Sequence, residues 1–374
     1  MKTSRTDLLI LGAGPAGCAA AIAGLQAWLS ACLLEVQAVP RAHPGETLHP
    51  GVEPIFRQLG VWEALVAQQF HRHRGLWREG ADGARVFEPY GRDEHGPWLG
   101  FQVDRVRLSE LLRARVAGLG GTIIRVAQVD AVLAWEFAVA GVRADGCEYP
   151  ARFVLDATGR HAWLAEKLGL VAERLEPAQR VLFGWTKEVG SELDGQPVFR
   201  QRADGWDWKA PLGDGRCAWA KLRRTSAGGG IDYAWRIFRE CAGAGYFLLG
   251  DAGCLMDPSA ANGVLRAMMS GIYSVHLMEA VLHSAVPVAV AASQYRQWVS
   301  LLFDTTRAGH KTASSANQMK TDVNPQGSNY HGATSRNAVL PGRTGGGIRS
   351  RGLYELGSEH NAEKLEARYR RLPS

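Results

Sequence analysis

The stretch that decides the fold is Thr6-Asp7-Leu8-Leu9-Ile10-Leu11-Gly12-Ala13-Gly14-Pro15-Ala16-Gly17. An aliphatic run that ends in closely spaced glycines predicts a buried strand, a tight turn and then a helix, which the alanine-rich residues 18–25 continue. In such a unit the first glycine makes the turn, the second lets the backbone approach a pyrophosphate, and the third lets helix and strand pack closely. The candidate nucleotide-binding residues are therefore Gly12, Gly14, Ala16 and Gly17.

A second apolar run, residues 31–34, ends in Glu35, eighteen residues after Gly17. A carboxylate at this place can accept hydrogen bonds from a ribose diol, and the free N–H groups of the helix N-terminus favour phosphate. Strand, glycines, helix, strand and acid together predict a dinucleotide-binding unit. The alternative is a glycine-rich turn that binds nothing. NAD and FAD both use this unit, so other segments must decide between them.

Two later strands supply that decision. Residues 152–160 end in Asp156-Ala157-Thr158-Gly159, and residues 246–252 end in Gly250-Asp251-Ala252. Asp257-Pro258 and a small-residue helix start follow. Together with the first glycine turn, this order resembles the flavoprotein monooxygenase superfamily, which includes aromatic hydroxylases, geranylgeranyl reductases and flavin-dependent halogenases. The resemblance covers roughly residues 5 to 285.

The resemblance implies FAD as the cofactor. It implies that Asp251 binds the ribityl chain and that the helix after Pro258 points its N-terminus at the flavin pyrimidine edge, where reduced flavin carries negative charge. The stretch Phe101 to Arg107 resembles the family segment whose Gln and Arg touch the cofactor; the alternative is a pair of solvated residues beside a helix. The implied FAD contacts outside the first turn are Gln102, Arg105, Asp156, Gly159, Gly250, Asp251, Pro258, Asn262 and Gly263.

The predicted fold class is α/β, a Rossmann-type FAD-binding domain with an inserted antiparallel sheet, as in aromatic hydroxylases of the glutathione-reductase-2-like type. We expect the FAD-binding domain at residues 1–170 plus 241–290, with residues 61–104 contributing partly to the substrate domain. Alternating apolar and polar residues predict the sheet of the substrate domain at 171–240. Residues 291–374 are expected to form a C-terminal helix and a poorly ordered polar tail over 307–361. Helical spacing further predicts helices at 260–285 and 363–372.

The chain has 374 residues and a net charge of +6. Residues 301–374 hold eleven Lys/Arg and six Asp/Glu, so the basic excess lies in the tail, and we expect no nucleic-acid partner. The six cysteines include no CxxC pair or metal-ligand spacing, which predicts no metal site and fits a reducing, cytoplasmic location. Glycines interrupt the uncharged run from Leu8 to Leu34, so we expect no membrane span.

Only one dinucleotide fingerprint is present, because the glycines at 345–347 follow no strand. We therefore expect electrons from transiently bound NAD(P)H or from a separate flavin reductase, and hydroxylation of an electron-rich aromatic ring. Halogenation is the alternative, since Trp206-Asp207-Trp208 partly resembles a halogenase signature. Halogenases also need a lysine, yet this chain has none between Lys2 and Lys167, and residues 71–74 read His-Arg-His-Arg. Arginine is a poor substitute as a nucleophile.

A closer resemblance is to flavoproteins that mature tryptophylquinone enzymes, such as glycine or lysine oxidase maturases, by hydroxylating a Trp side chain of a partner oxidase. Residues 44–54 and 257–271 carry it, although Ala260-Ala261-Asn262 stands where that group tends to have Ser-Ser-His. The aromatic substrate is therefore either free or part of a partner oxidase subunit. A further alternative is a non-catalytic FAD-binding chaperone for such a subunit.

Two residues are the candidate catalytic groups. Glu46 lies in a Gly-Glu segment that resembles the one beside the isoalloxazine in halogenase-like proteins, and His49 follows it. A histidine near the flavin can move a proton at neutral pH. His71, His73 and His161 are further candidates, and for each histidine the alternative is a structural or exposed side chain.

Overall fold

The computed structural model describes residues 5–36, 47–80, 83–175, 178–187, 193–283 and 286–321. The predicted catalytic residue Glu46, the glycines at 345–347 and the predicted helix at 363–372 lie outside these residues. The chain divides into two compact units, residues 1–300 and residues 301–374. The domain boundaries predicted inside the first unit stay a prediction.

Seven helices lie in the described residues, α1 at Pro15–Gln26, α2 at Val52–Gln58, α3 at Trp62–Val66, α4 at Arg105–Gly118, α5 at Trp163–Lys167, α6 at Gly263–Leu282 and α7 at Val288–Thr321. The strands of the described residues are, in chain order, β1 Thr6–Leu11, β2 Ala31–Glu35, β3 Thr47–Leu48, β4 His71–His73, β5 Gly75–Glu79, β6 Arg85–Pro89, β7 Arg92–Asp93, β8 Gly96–Pro97, β9 Gly100–Gln102, β10 Thr122–Arg125, β11 Val129–Trp135, β12 Ala138–Ala144, β13 Cys147–Asp156, β14 Glu173–Arg174, β15 Arg180–Lys187, β16 Val198–Arg202, β17 Gly205–Pro211, β18 Arg216–Arg223, β19 Ile231–Asp232, β20 Arg236–Ile237, β21 Ala242–Gly243, β22 Tyr246–Leu248 and β23 Cys254–Leu255.

The main sheet has eight strands, of which β10, β2, β1, β13 and β22 run parallel to their neighbours in that order. Leu11 pairs with Asp156, and Asp156 pairs with Leu248, so three strands end at the same edge. In open parallel sheets, ligands bind outside the carboxyl ends of the strands. The predicted α/β, Rossmann-type fold is confirmed, and its geometry brings the three predicted motifs to one place.

Close packing holds the glycine turn against the rest of this domain. Leu8, Leu9 and Ile10 are fully buried, as expected for a strand covered on both faces. Helix α6 packs against α1, and a Cβ on Gly271 would lie 2.5 Å from the carbonyl oxygen of Ala16. Only glycine permits that approach, so α6 carries its N-terminus to a fixed position relative to the turn.

A second sheet has seven strands in the order β19, β15, β18, β17, β16, β5 and β6. Its pairs are antiparallel except for β16 with β5. Along β17, Trp206, Trp208 and Ala210 are buried in one core cluster, whereas Lys209 between them is exposed. The antiparallel sheet predicted from this alternation is present, and residues 75–89 extend it with β5 and β6.

Two helix predictions need correction. Helix α6 begins at Gly263 instead of residue 260, because Ala261 has a φ of 54° and its left-handed backbone separates a short 3-10 turn from the helix. Helix α7 continues past Arg307, where we expected the tail to begin, as far as Thr321. Eight of the fifteen residues 307–321 are good helix formers, namely three Ala, two Lys and one each of Arg, Gln and Met, and these favour helix even where few apolar residues occur. No helix among the described residues is long and apolar enough to cross a membrane.

Candidate functional site

The turn between β1 and α1 leaves open backbone at the helix N-terminus. Gly12 has a φ of 100°, and a Cβ there would lie 2.6 Å from the carbonyl oxygen of Ala157, so the turn requires glycine. Gly14 differs, because a Cβ on it would meet nothing within 4 Å. No side chain caps the helix at Gly14, and Pro15 occupies the first helical position. Protein packing therefore gives no reason for glycine at position 14, whereas close approach of a ligand phosphate does.

Glu35 is held beside this turn. Its Oε2 atom accepts hydrogen bonds from the backbone N–H of Ala13 at 2.8 Å and from Nη2 of Arg113 at 3.1 Å. Arg113 also donates from Nε to the carbonyl oxygen of Ala13 at 3.2 Å. These contacts fix the Glu35 carboxylate at the end of β2 next to the glycine turn, where a ribose would lie.

Asp156 shapes the second motif from inside. Its side chain is fully buried; Oδ1 accepts from the backbone N–H and the hydroxyl of Thr158, and Oδ2 accepts from the backbone N–H of Leu164. Burial raises the pKa of this carboxyl, while those hydrogen bonds oppose the rise. The described contacts of Asp156 thus fasten the turn that carries Gly159, which has a φ of 65° and open space at its Cβ position. Direct contact of Asp156 with a cofactor stays a prediction.

Asp251 lies in a 3-10 turn at the end of β22, among cationic side chains. Gly250 precedes it with a φ of 54° and donates its N–H to Ser270 Oγ at 2.8 Å. Burial raises the pKa of the Asp251 carboxyl, and the charges of nearby arginines, Arg266 and Arg105 foremost, oppose that rise. Among the described residues, none donates a hydrogen bond to this half-buried carboxylate. Asp251 is therefore an acceptor that a bound ligand can satisfy.

The third motif ends at the N-terminus of α6. Asp257 accepts the backbone N–H of Ser259 at 2.8 Å and so caps the short turn that begins at Pro258. Asn262 precedes α6 but makes no capping hydrogen bond, and its buried Oδ1 atom has no partner in the described part of the chain. Gly263 has open space where a Cβ would stand. The 20-residue helix α6 thus presents an uncapped N-terminus.

The small sheet of β3, β9 and β4 brings Gln102 opposite Thr47. The Thr47 hydroxyl donates to Gln102 Oε1 at 2.8 Å and accepts from Trp208 Nε1 at 3.1 Å. Gln102 is 1% exposed, and its Nε2 atom has no hydrogen-bond partner within the described ranges. A buried donor without a partner costs about 1–3 kcal/mol, so this amide fits a site that a ligand acceptor completes.

FAD fits this set of groups. The open backbone at Gly14 suits the pyrophosphate, and the acceptors Glu35 and Asp251 suit sugar and ribityl hydroxyls. The unpaired donor of Gln102 and the N-terminus of α6 suit acceptor atoms. The site residues themselves stay predictions, but a Cβ at Gly14, Gly159 or Gly263 would meet nothing within 4 Å.

Comparison with known proteins gives a consistent result. The chain is 25% identical over 356 residues to tryptophan 2-halogenase from Chondromyces crocatus; the match covers 79% of this chain and 65% of that protein, less than two thirds of its length. It is 24% identical over 349 residues to menaquinone reductase from Mycobacterium tuberculosis, covering 82% of each. No protein-family model matches the chain.

Solved structures show the same fold. The flavin-dependent brominase Bmp2 superposes with a TM-score of 0.73 at 18% identity, covering 86% of this chain and 91% of that one. PqsL, a probable FAD-dependent monooxygenase from Pseudomonas aeruginosa, gives a TM-score of 0.69 at 16% identity, covering 82% and 93%. The chain is similar in sequence and in fold to flavin-dependent halogenases and monooxygenases. These similar proteins are enzymes, which favours an enzyme over a non-catalytic chaperone.

His49 is half-buried and neutral at pH 7. Burial lowers its pKa to about 4, and its Nδ1 atom accepts the backbone N–H of Gly51 at 3.1 Å. The remaining nitrogen, Nε2, therefore carries the proton and can only donate. The sequence predicted His49 as an acid or base; the low pKa makes it a weak base, and its catalytic role stays a prediction.

The other histidines lie in different environments. His71 contacts the carbonyl oxygen of Gly195 at 2.6 Å, linking β4 to a loop beside the second sheet, and His161 is exposed. His73 is 1% exposed; its Nδ1 atom lies 3.1 Å from the carbonyl oxygen of Gly75, and burial lowers its pKa to about 4. The rings of His49 and His73 both pack edge-on against Tyr90, with centroid distances of 5.2 and 5.4 Å, and β4 places His71 opposite Gln102. Glu46 lies outside the described residues.

Sequence reasoning missed several residues that shape the candidate site. Arg113 has no sequence signal, because its partner Ala13 is 100 residues away. Trp206 donates from Nε1 to Asp257 at 3.1 Å, although the two residues are 51 positions apart in the sequence. No sequence pattern indicated a role for Thr47. The Trp-x-Trp pattern was visible, but its hydrogen bonds were not. Two residues on one face of a strand implied only that both indoles point the same way.

Proposed function

We propose that this flavoenzyme hydroxylates an electron-rich aromatic ring. When bound and reduced, FAD supplies an electrophilic oxygen atom derived from dioxygen. Electrons come from NAD(P)H that binds transiently or from a separate flavin reductase. The placement of the lysines is the observation that favours hydroxylation over halogenation. The resemblance to halogenases implies that flavin-dependent halogenation needs a lysine at the site.

The lysines whose side chains the structure describes face solvent. Lys167, Lys187, Lys209 and Lys221 are all exposed. Lys209 and Lys221 lie on the second sheet and were the lysines considered for reaching the FAD site from there. Lys209 lies on the face of β17 opposite Trp208, and the Lys221 Nζ atom lies 5.6 Å from the ring of Trp219. These positions favour a flavoenzyme without a lysine-bound halogen species.

Arg72 stands in the stretch where the sequence comparison expected a halogenase lysine. Its guanidinium lies 3.8 Å from the ring centroid of Phe101 and donates to the carbonyl oxygens of Leu99 and Gly100 at 3.1 and 3.2 Å. Burial lowers its pKa, yet arginine stays protonated at neutral pH. Arg72 therefore holds β4 against β9 and has no free electron pair for attack.

Each motif has one role in the proposal. The turn at Gly12 to Gly17 and the N-terminus of α1 bind the pyrophosphate, and Glu35 binds the adenosine ribose. Asp251 accepts the ribityl hydroxyls, and Gln102 donates to an acceptor atom of the cofactor. Asp156 acts indirectly, by fastening the turn at Gly159. The remaining predicted contacts are Ala16, Arg105, Gly250, Pro258, Asn262 and Gly263.

Product analysis tests the proposal. The enzyme is incubated with FAD, NADH, a flavin reductase and a panel of phenols and indoles, once without halide and once with bromide. We expect products heavier by one oxygen atom in both cases. Bromine-containing products formed only when bromide is present would contradict hydroxylation.

Halogenation is the second candidate, because a tryptophan 2-halogenase and the brominase Bmp2 are among the similar proteins. The lysine positions count against it. The finer assignment, hydroxylation of a Trp side chain in a partner oxidase during tryptophylquinone formation, rests on the resemblance of residues 44–54 and 257–271 alone. None of the relatives described above bears on it. The cytoplasmic location likewise stays a prediction.

A further inference from the structure

A buried line of hydrogen bonds connects the second sheet to the FAD motifs. It runs from Trp208 on β17 through Thr47 on β3 to Gln102 on β9, with distances of 3.1 Å and 2.8 Å. The three side chains are 9%, 4% and 1% exposed, respectively. Because water has little access, these groups depend on one another for hydrogen bonds.

The chemistry of the three groups fixes the direction of this relay. An indole N–H only donates, so Thr47 Oγ1 is the acceptor for Trp208. The single hydroxyl hydrogen of Thr47 is then left for Gln102, where only the amide oxygen can accept it. The amide Nε2 consequently faces away from Thr47, and it is this atom that has no partner in the described part of the chain.

We propose that Trp208 is a positioning residue that acts through Thr47 to hold the Gln102 amide with its N–H groups toward an acceptor atom of FAD. The inference rests on the placement of Gln102 against FAD in the proposed function. Without the relay, the amide can rotate by half a turn and present its oxygen to that acceptor, which loses the hydrogen bond and adds repulsion.

Packing has to be separated from orientation, because Trp208 also fills the core of the second sheet. The pair Thr47→Val and Thr47→Ser makes this separation, since valine keeps the shape of threonine without the hydroxyl and serine keeps the hydroxyl with less bulk. The dissociation constant for FAD is measured by quenching of flavin fluorescence. Thermal unfolding of the FAD-free proteins reports on folding.

We expect Thr47→Val and Trp208→Phe each to weaken FAD binding about fivefold, the loss of about one net hydrogen bond. Thr47→Ser keeps the wild-type affinity. Trp219→Phe is the matched control: Trp219 is a half-buried tryptophan on the neighbouring strand β18, paired with Lys209 on the opposite face. We expect the Trp219→Phe protein to bind FAD with the wild-type affinity.

A double-mutant cycle completes the test. In a Gln102→Met background there is no amide to orient, so Trp208→Phe causes no further loss of affinity. Wild-type affinity of Thr47→Val, equal weakening by Thr47→Ser and Thr47→Val, or additive losses in the cycle would each overturn the proposal. If Trp208→Phe fails to fold, the two Thr47 variants decide. Affinity is measured without turnover, so a failure of the hydroxylation proposal leaves this test intact.

Discussion

Replacing Asp251 by alanine should separate cofactor binding from folding. Burial raises the pKa of this carboxyl even though several arginines oppose the rise. The ionised group is therefore less favourable in the FAD-free folded protein than in the unfolded chain. Above its folded pKa the carboxylate lowers the stability of the FAD-free protein. Asp251→Ala removes that effect, so we expect unchanged or higher stability at pH 7.

The same substitution should weaken FAD binding strongly. A hydrogen bond to a charged group contributes about 1.5–3 kcal/mol, which corresponds to about a ten- to 150-fold change in the dissociation constant. Asp251→Asn keeps one acceptor oxygen and should lose less. Flavin fluorescence titration measures the affinity, and urea unfolding of the FAD-free proteins measures the stability.

Two results would refute this reasoning. Unchanged affinity for FAD in Asp251→Ala would remove Asp251 from the cofactor site. A large loss of stability in the FAD-free Asp251→Ala protein would show that the carboxylate is needed to balance the surrounding arginines, contrary to the direction of its pKa shift.

The other predictions concern the glycine turn, a buried histidine and the lysines. Gly14→Val should weaken FAD binding at least about tenfold at unchanged stability, because the Cβ position of Gly14 is open. Gly12→Ala, at a φ of 100°, should destabilise the FAD-free protein by about 1–3 kcal/mol. Equal losses of stability in the two variants would contradict this distinction between the two glycines. His73, with a pKa of about 4, binds its proton more weakly in the folded than in the unfolded state. His73 should therefore contribute a fall in stability of about 2 kcal/mol from pH 7 to pH 5 in urea unfolding, in addition to a similar fall from His49. A His73→Gln protein with the same pH slope as the wild type would exclude the contribution of His73. Lys209→Met and Lys221→Met should leave product identity and turnover unchanged in chromatography with mass detection; loss of product in either would return a lysine to the site.

Short-range sequence patterns were enough to predict most of the fold and the cofactor. Gly12, Gly14 and Glu35 lie within one strand-helix-strand unit, so their spacing alone predicts a shared site. Asp251 was predicted because a strand end and a Gly-Asp pair are both visible in the local sequence. The parallel sheet then brings these strand ends to one edge, which the α/β pattern also implies.

Contacts between distant segments escaped prediction. Trp208 and Thr47 are 161 residues apart, and nothing in either neighbourhood indicates the hydrogen bond between them. The contact of Asp156 with the cofactor stays a prediction, but its side chain also forms a local Asx turn, which Asp followed two residues later by Thr favours. The low pKa of His49 depends on burial by the whole fold. The residues next to His49 in the sequence do not determine this pKa.

A single turnover with isotopically labelled dioxygen tests hydroxylation most directly. The enzyme, loaded with reduced FAD in the absence of air, is mixed with an aromatic substrate, bromide and dioxygen carrying the heavy oxygen isotope. We predict one heavy oxygen atom on the product ring and no bromine, with Lys209→Met giving the same product. A brominated product, or a hydroxyl oxygen that comes from water, would contradict the account.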